Sequence, residues 1–457
     1  TISVNDASNR GKNLLAGMQT PFEGSCFLRT SLQAQAGKWR TQMSGSIASG
    51  EPTFDLNASP TRVDRWAKGT VHKFLTSLTW GRIELVEGVD TTSFGTAAAH
   101  EEPVVTMEII HPRFYSAVVF GGSVGLAEAY IAGLWKCSDL TQIIRIFVRN
   151  LLVLERVEYG PAWASRILRK LFHLFHRNTR LGSRRNILAH YDLGNDFYAL
   201  FLDETMTYSC GVFESESSTL EQASLAKYDR ICRKLDLKPQ DRVVEIGCGW
   251  GGFAAYAAAN FGCHVTAATI SDSQHEYALD VIERRKLKSR VEVVKKDYRD
   301  LSGGFDKLVS IEMIEAVGYE FRDTFFSTCS RLLKPEGMMA LQAITIVDQR
   351  HAQHVRDVDF IKRYIFPGSC LTAVTSICDA ATRATDLRLI HMEDITPHYA
   401  RTLHRWRQRF FDRIDEVRKM GFPESFIRMW EYYLCYCEGA FEERYIGDVQ
   451  MIFSKPL

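Results

Sequence analysis

The chain has 457 residues, of which 46% are hydrophobic and 24% are charged. This length and composition predict a folded protein with one sizeable core, and allow a second. The 56 basic and 55 acidic side chains leave a net charge of +1, which excludes a whole-molecule positive field that would attract nucleic acid. Any basic surface must therefore be local.

The cysteine and hydropathy patterns predict reduced thiols and no membrane span. The eleven cysteines include no CxxC pair and no Cys/His spacing typical of a metal site, so we expect no metal and a cytoplasmic location. The most apolar stretch, Ala117 to Trp135, is interrupted by Glu128 and falls short of the run of ~20 apolar residues that a span needs. We expect no secretory signal.

The first part of the chain predicts a small α+β domain. Residues 1–60 are rich in polar residues with sparse apolar periodicity, which predicts a flexible or weakly ordered segment. From Val63 to Leu78 the apolar residues recur at helical spacing. Two strands and two more apolar helices follow, at Arg82 to Glu87, Val104 to Ile110, Ser116 to Leu134 and Ser138 to Leu152. Together they predict an N-terminal domain over residues 61–160.

Residues 161–185 predict a basic amphipathic linker. No acidic residue occurs in this segment, where Arg166, Arg169 and Lys170 stand opposite an apolar stripe that includes Trp163 and Phe172. A helix of this kind can lie on an anionic membrane surface. An ordinary surface helix between two domains explains the same pattern equally well.

From Arg242 onward, short apolar runs alternate with helical stretches, which is typical of a parallel sheet with helical crossovers. Strands are predicted at Arg242 to Ile246, His264 to Ile270, Val291 to Lys295, Lys307 to Ile311 and Met338 to Ile344. Later runs at Arg388 to Met392 and Asp448 to Phe453 predict an antiparallel pair at the edge of that sheet. The sequence therefore predicts an α/β domain over residues 186–457.

A glycine-rich turn from Gly247 to Gly252 follows the first of these strands directly. Glycines let the backbone approach a ligand closely, although a tight turn without a ligand needs similar residues. Glu245 flanks the turn, no P-loop Lys-Ser/Thr pair follows it, and the next strand ends in Thr269-Ile270-Ser271. These features favour S-adenosylmethionine over a dinucleotide or a nucleoside triphosphate.

Several motifs together resemble the cyclopropane-fatty-acyl-phospholipid synthase family, which includes the mycolic acid cyclopropane synthases. Besides the glycine turn, they are His190 to Tyr198, Thr207 to Cys210, Met313 to Gly318, Tyr364 to Gly368, His398-Tyr399 and Glu438 to Phe441. They occur in the family's order over residues 186–457. The resemblance implies a Rossmann-like class I methyltransferase fold with a seven-stranded sheet, and an N-terminal domain that interacts with lipid.

The resemblance also implies which residues bind S-adenosylmethionine. Tyr208 and Ser209 would meet its amino-acid end, and Gly247 and Gly249 would lie beneath it, next to Glu245. The ribose, adenosine and adenine contacts would come from Thr269, Ile270, Gln274, Asp297 and Tyr298.

Methyl transfer to an isolated alkene gives a carbocation, so the pocket must exclude water and hold a base for the proton that is then lost. In the resembling family that base is a bound bicarbonate. Similarity places its binding site at Glu315, Tyr399 and the backbone around Cys210 and Ile344. Because alkene methylation has no acyl intermediate, we expect Cys210 to act through packing and its backbone, not as a nucleophile.

The sequence departs from a common pattern of the family at Gln342, where many members have His, and at Ala316. Gln can orient an anion but cannot titrate, which leaves the product open between a cyclopropane ring and a methylene- or methyl-branched chain. The expected substrate is an unsaturated phospholipid acyl chain, reached peripherally at the membrane surface. A homodimer would suit contact with a bilayer. A small-molecule N-methyltransferase and a non-enzymatic lipid-binding protein are the alternatives.

Overall fold

The computed structural model describes residues 59–97, 102–151 and 193–457. The predicted flexible segment 1–60, except for its last two residues, and the basic segment 161–185 lie outside these ranges, as do His190, Tyr191 and Asp192 of the family motif.

Within the residues that the structure describes, the N-terminal part has a mixed four-stranded sheet and three helices. Helix α1 (Arg62–Leu75) begins with a reciprocal cap between Thr61 and Asp64, which satisfies backbone donors that a helix start leaves free. The strands are β1 (Gly81–Glu87), β2 (Asp90–Thr96), β3 (Val104–Ile109) and β4 (Trp135–Cys137), in the order β2-β1-β3-β4. Helices α2 (Arg113–Ile131) and α3 (Leu140–Arg149) complete it. The α+β prediction is confirmed, except that the polar, mostly exposed strand β2 and the three-residue strand β4 were missed.

Helix α2 is the one helix in the described ranges that is long and apolar enough to cross a membrane. Half of its most apolar window is buried inside the protein, and its backbone leaves the helical region at Gly122, where φ is 59°. The core helix of a soluble protein has the same properties, so length and composition are weak evidence here.

The C-terminal part is built on a seven-stranded sheet, as predicted. Its strands are β5 (Arg242–Ile246), β6 (His264–Thr269), β7 (Val291–Lys295), β8 (Phe305–Ile311), β9 (Leu333–Ile346), β10 (Arg388–Asp394) and β11 (Ile446–Ser454). Their order is β10-β11-β9-β8-β5-β6-β7, with β5 to β9 paired in parallel. The chain continues from β5 to β6 on one side and returns to β8 on the other, which creates a crevice at the carboxyl ends of β5 and β8.

The predicted antiparallel edge pair is confirmed by β10 and β11, which pair with each other at one end of the sheet. Strand β11 is also antiparallel to β9 and lies between β9 and β10, so β10 is the outer strand of the pair. The burial pattern agrees with this order. Seven of the nine residues of β11, Ile446 and Asp448 to Phe453, are buried, whereas β10 is almost wholly exposed. A strand covered on both faces reads as a continuous apolar run and belongs inside a sheet.

Helices cover the sheet and connect its strands. They are α4 (Asn195–Ala199), α5 (Leu220–Lys234), α6 (Gly252–Phe261), α7 (Asp272–Arg284), α8 (Ile314–Val317), α9 (Arg322–Leu332), α10 (Asp348–Arg356), α11 (Val374–Ala384), α12 (Thr396–Asp412), α13 (Ile414–Lys419) and α14 (Glu424–Glu442). A π-helical turn spans Ile361–Ile365.

The two parts of the protein pack against each other through α14, which contacts α2 and α3. The Tyr130 hydroxyl donates to Glu431 across this contact at 2.8 Å, and the Tyr364 hydroxyl donates to Glu128 at 2.5 Å. One hydrophobic core extends through both parts. The aromatic side chains of α14 therefore support the N-terminal part on one side and the crevice on the other.

Candidate active site

The glycine turn after β5 forms the floor of the crevice. Gly247 and Gly249 have φ values of 85° and 52°, a left-handed conformation that L side chains rarely adopt. A Cβ atom at Gly247 would lie 2.7 Å from Cγ of Met313. The turn therefore packs closely against the segment that follows β8.

Glu245, near the end of β5, is buried, and its Oε2 has no hydrogen-bond partner among the described residues. Burial raises the pKa of this carboxyl to about 8, although Lys227 opposes the shift. A buried polar atom without a partner is costly unless a ligand satisfies it. Glu245 thus offers a hydrogen-bonding position to a molecule in the crevice.

The turn after β6 presents Thr269, Ile270 and Gln274 to the same crevice. The Thr269 hydroxyl donates to Oε1 of Gln274 at 2.9 Å, which holds that amide in place. Asp297 and Tyr298 line the crevice beyond them. The Asp297 carboxylate accepts from Arg299 at 2.6 and 2.8 Å, so the structure adds a partner that the sequence did not predict.

Tyr208 and Ser209 lie on the opposite side of the crevice. The Tyr208 and Tyr433 hydroxyls are 2.9 Å apart, and the Tyr208 ring packs 5.2 Å from that of Trp406. Nζ of Lys227, which is fully buried, donates to Oγ of Ser209 at 2.5 Å. Burial lowers the pKa of Lys227.

All of the residues predicted to bind the cofactor line one cavity of ≈ 320 Å³, within the range of ~300–1,000 Å³ typical of small-ligand sites. The left-handed turn, the unpartnered Glu245 oxygen and the position at the switch between β5 and β8 fit S-adenosylmethionine. When bound, this cofactor supplies a sulfonium methyl group.

The same cavity continues into an aromatic chamber, as the chemistry predicted. Its ring-bearing residues are Tyr208, Phe366, Tyr399, Tyr433, Tyr436 and Phe441. The Tyr399 and Phe441 rings stack with centroids 4.3 Å apart. Ring faces of this kind exclude water and attract a developing positive charge.

Three of the predicted catalytic residues, Glu315, Ile344 and Tyr399, line the cavity. Oε1 of Glu315 accepts from the Ile344 backbone N–H at 2.6 Å, while its Oε2 is buried without a partner among the described residues. Burial, followed by the nearby Glu312 carboxylate, raises the pKa of Glu315 to about 8. Its surroundings therefore favour the protonated form of Glu315.

Glu312 is the functional residue that the sequence prediction missed. Its Oε1 accepts from the Cys210 backbone N–H and from Nε2 of Gln342, both at 2.8 Å. Its Oε2 accepts from the Tyr399 hydroxyl at 2.6 Å. An acidic residue directly after a buried parallel strand, at the switch point of the sheet, is the signal that could have identified it.

The predicted bicarbonate site is corrected by this geometry. Tyr399 and the backbone of Cys210, expected to bind bicarbonate, bind the Glu312 carboxylate instead, and Glu315 bonds Ile344. The donors expected for a second anion are already used, and a bicarbonate ion placed there would face a carboxylate. The residues present do not fit bicarbonate.

Gln342 and Cys210 do not line the cavity, but both donate a hydrogen bond to Glu312, which does. Nζ of Lys234 can only donate, and it donates to Oε1 of Gln450 at 2.7 Å. Nε2 of Gln450 therefore donates to Oε1 of Gln342 at 3.0 Å, which turns the Gln342 NH₂ group toward Glu312. Burial raises the pKa of the Cys210 thiol well above its usual value, consistent with a role that is not nucleophilic.

A Rossmann-like sheet with a glycine turn, an unpartnered carboxyl and this cavity define a class I S-adenosylmethionine-dependent methyltransferase. The sequence model of the family described as mycolic acid cyclopropane synthetase matches residues 178–451. The chain belongs to that family.

Two curated relatives are similar over most of their length. The chain is 37% identical over 367 residues to the tuberculostearic acid methyltransferase of Mycobacterium tuberculosis, covering 78% of this chain and 85% of the relative. It is 35% identical over 384 residues to the cyclopropane-fatty-acyl-phospholipid synthase of Escherichia coli, covering 82% and 94%. Among solved structures, a mycolic acid cyclopropane synthase complexed with SAH and CTAB matches with a TM-score of 0.56 at 30% identity, covering 60% of this chain and 98% of that one.

Proposed function

We propose that the protein transfers a methylene group from S-adenosylmethionine to a cis double bond of an unsaturated phospholipid acyl chain and so forms a cyclopropane ring. The observation that carries this proposal is the continuity of the cofactor cavity with the aromatic chamber. An acyl chain is apolar along its length, and a carbocation formed on it survives only where water is excluded. The name of the Escherichia coli relative supports the same substrate class.

A branched product is the second candidate. It is favoured by the similarity to a tuberculostearic acid methyltransferase, and it differs from ring formation in which proton is lost after methyl transfer. A small-molecule N-methyltransferase is disfavoured, because the two relatives with 37% and 35% identity are lipid enzymes by name.

The product can be determined directly. Purified protein is incubated with S-adenosylmethionine and vesicles of unsaturated phospholipid, and the acyl chains are analysed by mass spectrometry before and after a reagent that cleaves alkenes. A gain of one CH₂ with loss of the alkene selects the ring. A gain of one CH₂ with an alkene retained selects the methylene branch, and unchanged chains would contradict the proposal.

We further propose that the protein works from the cytoplasm as a peripheral membrane protein. Support comes from an exposed apolar patch on the N-terminal part, formed by Val63, Trp66 and Phe120, with the Trp66 and Phe120 rings 6.1 Å apart. Arg62 and Arg65 are exposed beside it on α1. Apolar and basic side chains together suit an anionic bilayer surface.

A further inference from the structure

Three hydrogen-bond donors converge on one carboxylate at the edge of the aromatic chamber. The Cys210 backbone N–H, the Gln342 amide and the Tyr399 hydroxyl all point at Glu312, at 2.6 to 2.8 Å. Donors arranged in this way stabilise an ionised carboxylate. Burial and the nearby Glu312 carboxylate raise the pKa of Tyr399 well above its usual value, so this phenol remains a donor.

The backbone at Glu312 is held in a conformation that an acidic residue does not prefer. Its φ is 48°, in the left-handed region where a residue other than glycine is strained by about 1–2 kcal/mol. Strain of this kind persists where the surrounding structure imposes it, most often at functional sites. The cost is offset by the three hydrogen bonds that the carboxylate gains.

Two other acids lie close to Glu312. Oδ2 of Asp448 shares the Gln342 amide with Glu312, at 3.0 Å. Burial and Glu312 raise the pKa of Asp448 well above its usual value, and burial raises the pKa of Glu315 to about 8. Among the described residues, more hydrogen-bond donors point at Glu312 than at either of these acids, and such donors suit a carboxylate that acts as a base.

We propose that Glu312 is the catalytic base of the reaction, a built-in carboxylate that takes the place of bicarbonate. This inference rests on the proposed function. When bound, the cofactor supplies a methyl group to one alkene carbon, which leaves a neutral thioether and a cation on the neighbouring carbon. Glu312 accepts a proton from the new methyl group, and the C–H electron pair forms the bond that closes the ring. The products are a neutral cyclopropane and a neutral carboxylic acid, which returns its proton to solvent.

The arrangement around Gln342 gives the base its position. Lys234 on α5 orients Gln450 on β11, and Gln450 orients Gln342 on β9. Each amide has one donor end and one acceptor end. Because Lys234 donates to the oxygen of Gln450, the NH₂ group of Gln450 faces Gln342, and the NH₂ group of Gln342 then faces Glu312. Gln342 therefore acts as a positioning residue, and needs no titratable proton of its own.

The test compares wild type with Glu312→Gln and Glu312→Gly in buffer freed of carbon dioxide, with and without added sodium bicarbonate. Glu315→Gln is the matched control, since it alters a carboxyl group that lines the same cavity. We expect wild-type turnover to change less than twofold with bicarbonate. Glu312→Gln should lose ~100-fold or more in turnover, the scale of general base catalysis, and more than Glu315→Gln. Both variants should bind S-adenosylmethionine within about threefold of wild type, because neither removes a cofactor contact.

Glu312→Gly provides a readout that a merely structural role would not give. Glycine suits the backbone at this position, and the three donors would be left to bind an added anion, so bicarbonate should restore part of the lost turnover. A wild type that requires bicarbonate, a Glu312→Gln variant with wild-type turnover, or a folded Glu312→Gly variant that bicarbonate does not rescue would overturn the inference. Failure of the proposed function is distinguishable, because wild type would then form no product under any condition.

Discussion

Glu312 and Glu315 lie three residues apart, yet their carboxyl groups have different surroundings. Glu312 receives three donors, whereas Oε1 of Glu315 accepts from the Ile344 N–H and its Oε2 has no partner among the described residues. At this scale the local hydrogen bonds give two neighbouring acids different roles.

Gly247 and Gly249 share a left-handed backbone but differ in what a side chain would meet, so we expect alanine at the two positions to have different effects on stability and cofactor binding. A methyl group at Gly247 would lie 2.7 Å from Met313, whereas one at Gly249 has nothing within 4 Å. Gly247→Ala should lower the free energy of unfolding by more than the ~1–2 kcal/mol that a left-handed alanine costs. Gly249→Ala should lose about that amount, and should weaken cofactor binding by occupying space in the cavity. Thermal unfolding of the cofactor-free variants measures the loss of stability, and calorimetric titration with S-adenosylmethionine measures the affinity for the cofactor. Equal loss of stability in the two variants would contradict the packing argument.

At the scale of elements, periodicity predicted most of the fold. Strands β5 and β7 were predicted with their observed bounds, since short buried strands between turn residues are unambiguous. Strand β2 was missed because its residues are polar and mostly exposed. Family resemblance predicted the cofactor cavity. It could not predict that Glu312 fills the anion site, since that depends on side chains from β9 and α12 and a backbone N–H before α5 meeting in space.

Helix α1 carries a prediction about the membrane. If the apolar patch on the N-terminal part contacts lipid, Trp66→Ala should reduce sedimentation with anionic phospholipid vesicles at low salt. Ile390→Ala on the edge strand β10 is the matched control, because Ile390 and Trp66 are similarly exposed, at 57% and 51%. Neutralising Arg166, Arg169 and Lys170 should weaken vesicle binding as well, and added salt should weaken it further. Unchanged sedimentation of the Trp66→Ala variant would count against this surface.

At the scale of the whole molecule, the cavity lowers the stability of the folded protein, and the rest of the fold must offset that loss. Glu245 and Glu315 line the cavity, and the Oε2 atom of each is buried without a hydrogen-bond partner among the described residues. Such an atom loses its hydration without gaining a hydrogen bond. The continuous core through α14 and the N-terminal part supplies apolar burial in compensation. Active sites commonly lower the stability of the fold in this way, because function needs groups that folding alone would not favour.

Those carboxyl groups predict how stability depends on pH. Folding raises the pKa of Glu245 from 4.5 to about 8, so the folded protein binds the proton more tightly than the unfolded chain. The resulting stability is fully present below pH 4.5 and is lost as pH rises through 8. Between pH 5.5 and pH 8.5 the melting temperature of Glu245→Gln should therefore fall less than that of wild type. In free energy of unfolding, the difference corresponds to ~1.4 kcal/mol for each unit of pKa shift that the substitution removes. Melting curves of the cofactor-free proteins at a series of pH values measure this, and parallel dependences would show that Glu245 is not protonated in the fold.

The central claim is that a methyl group enters a lipid acyl chain and then loses one proton to a base in a dry cavity. It is tested most directly with S-adenosylmethionine carrying a fully deuterated methyl group and vesicles of unsaturated phospholipid, followed by mass spectrometry of the acyl chains. The account predicts a product that retains two of the three deuterium atoms and no longer contains an alkene. A product that retains all three, or deuterium found only in a soluble amine and never in lipid, would contradict it.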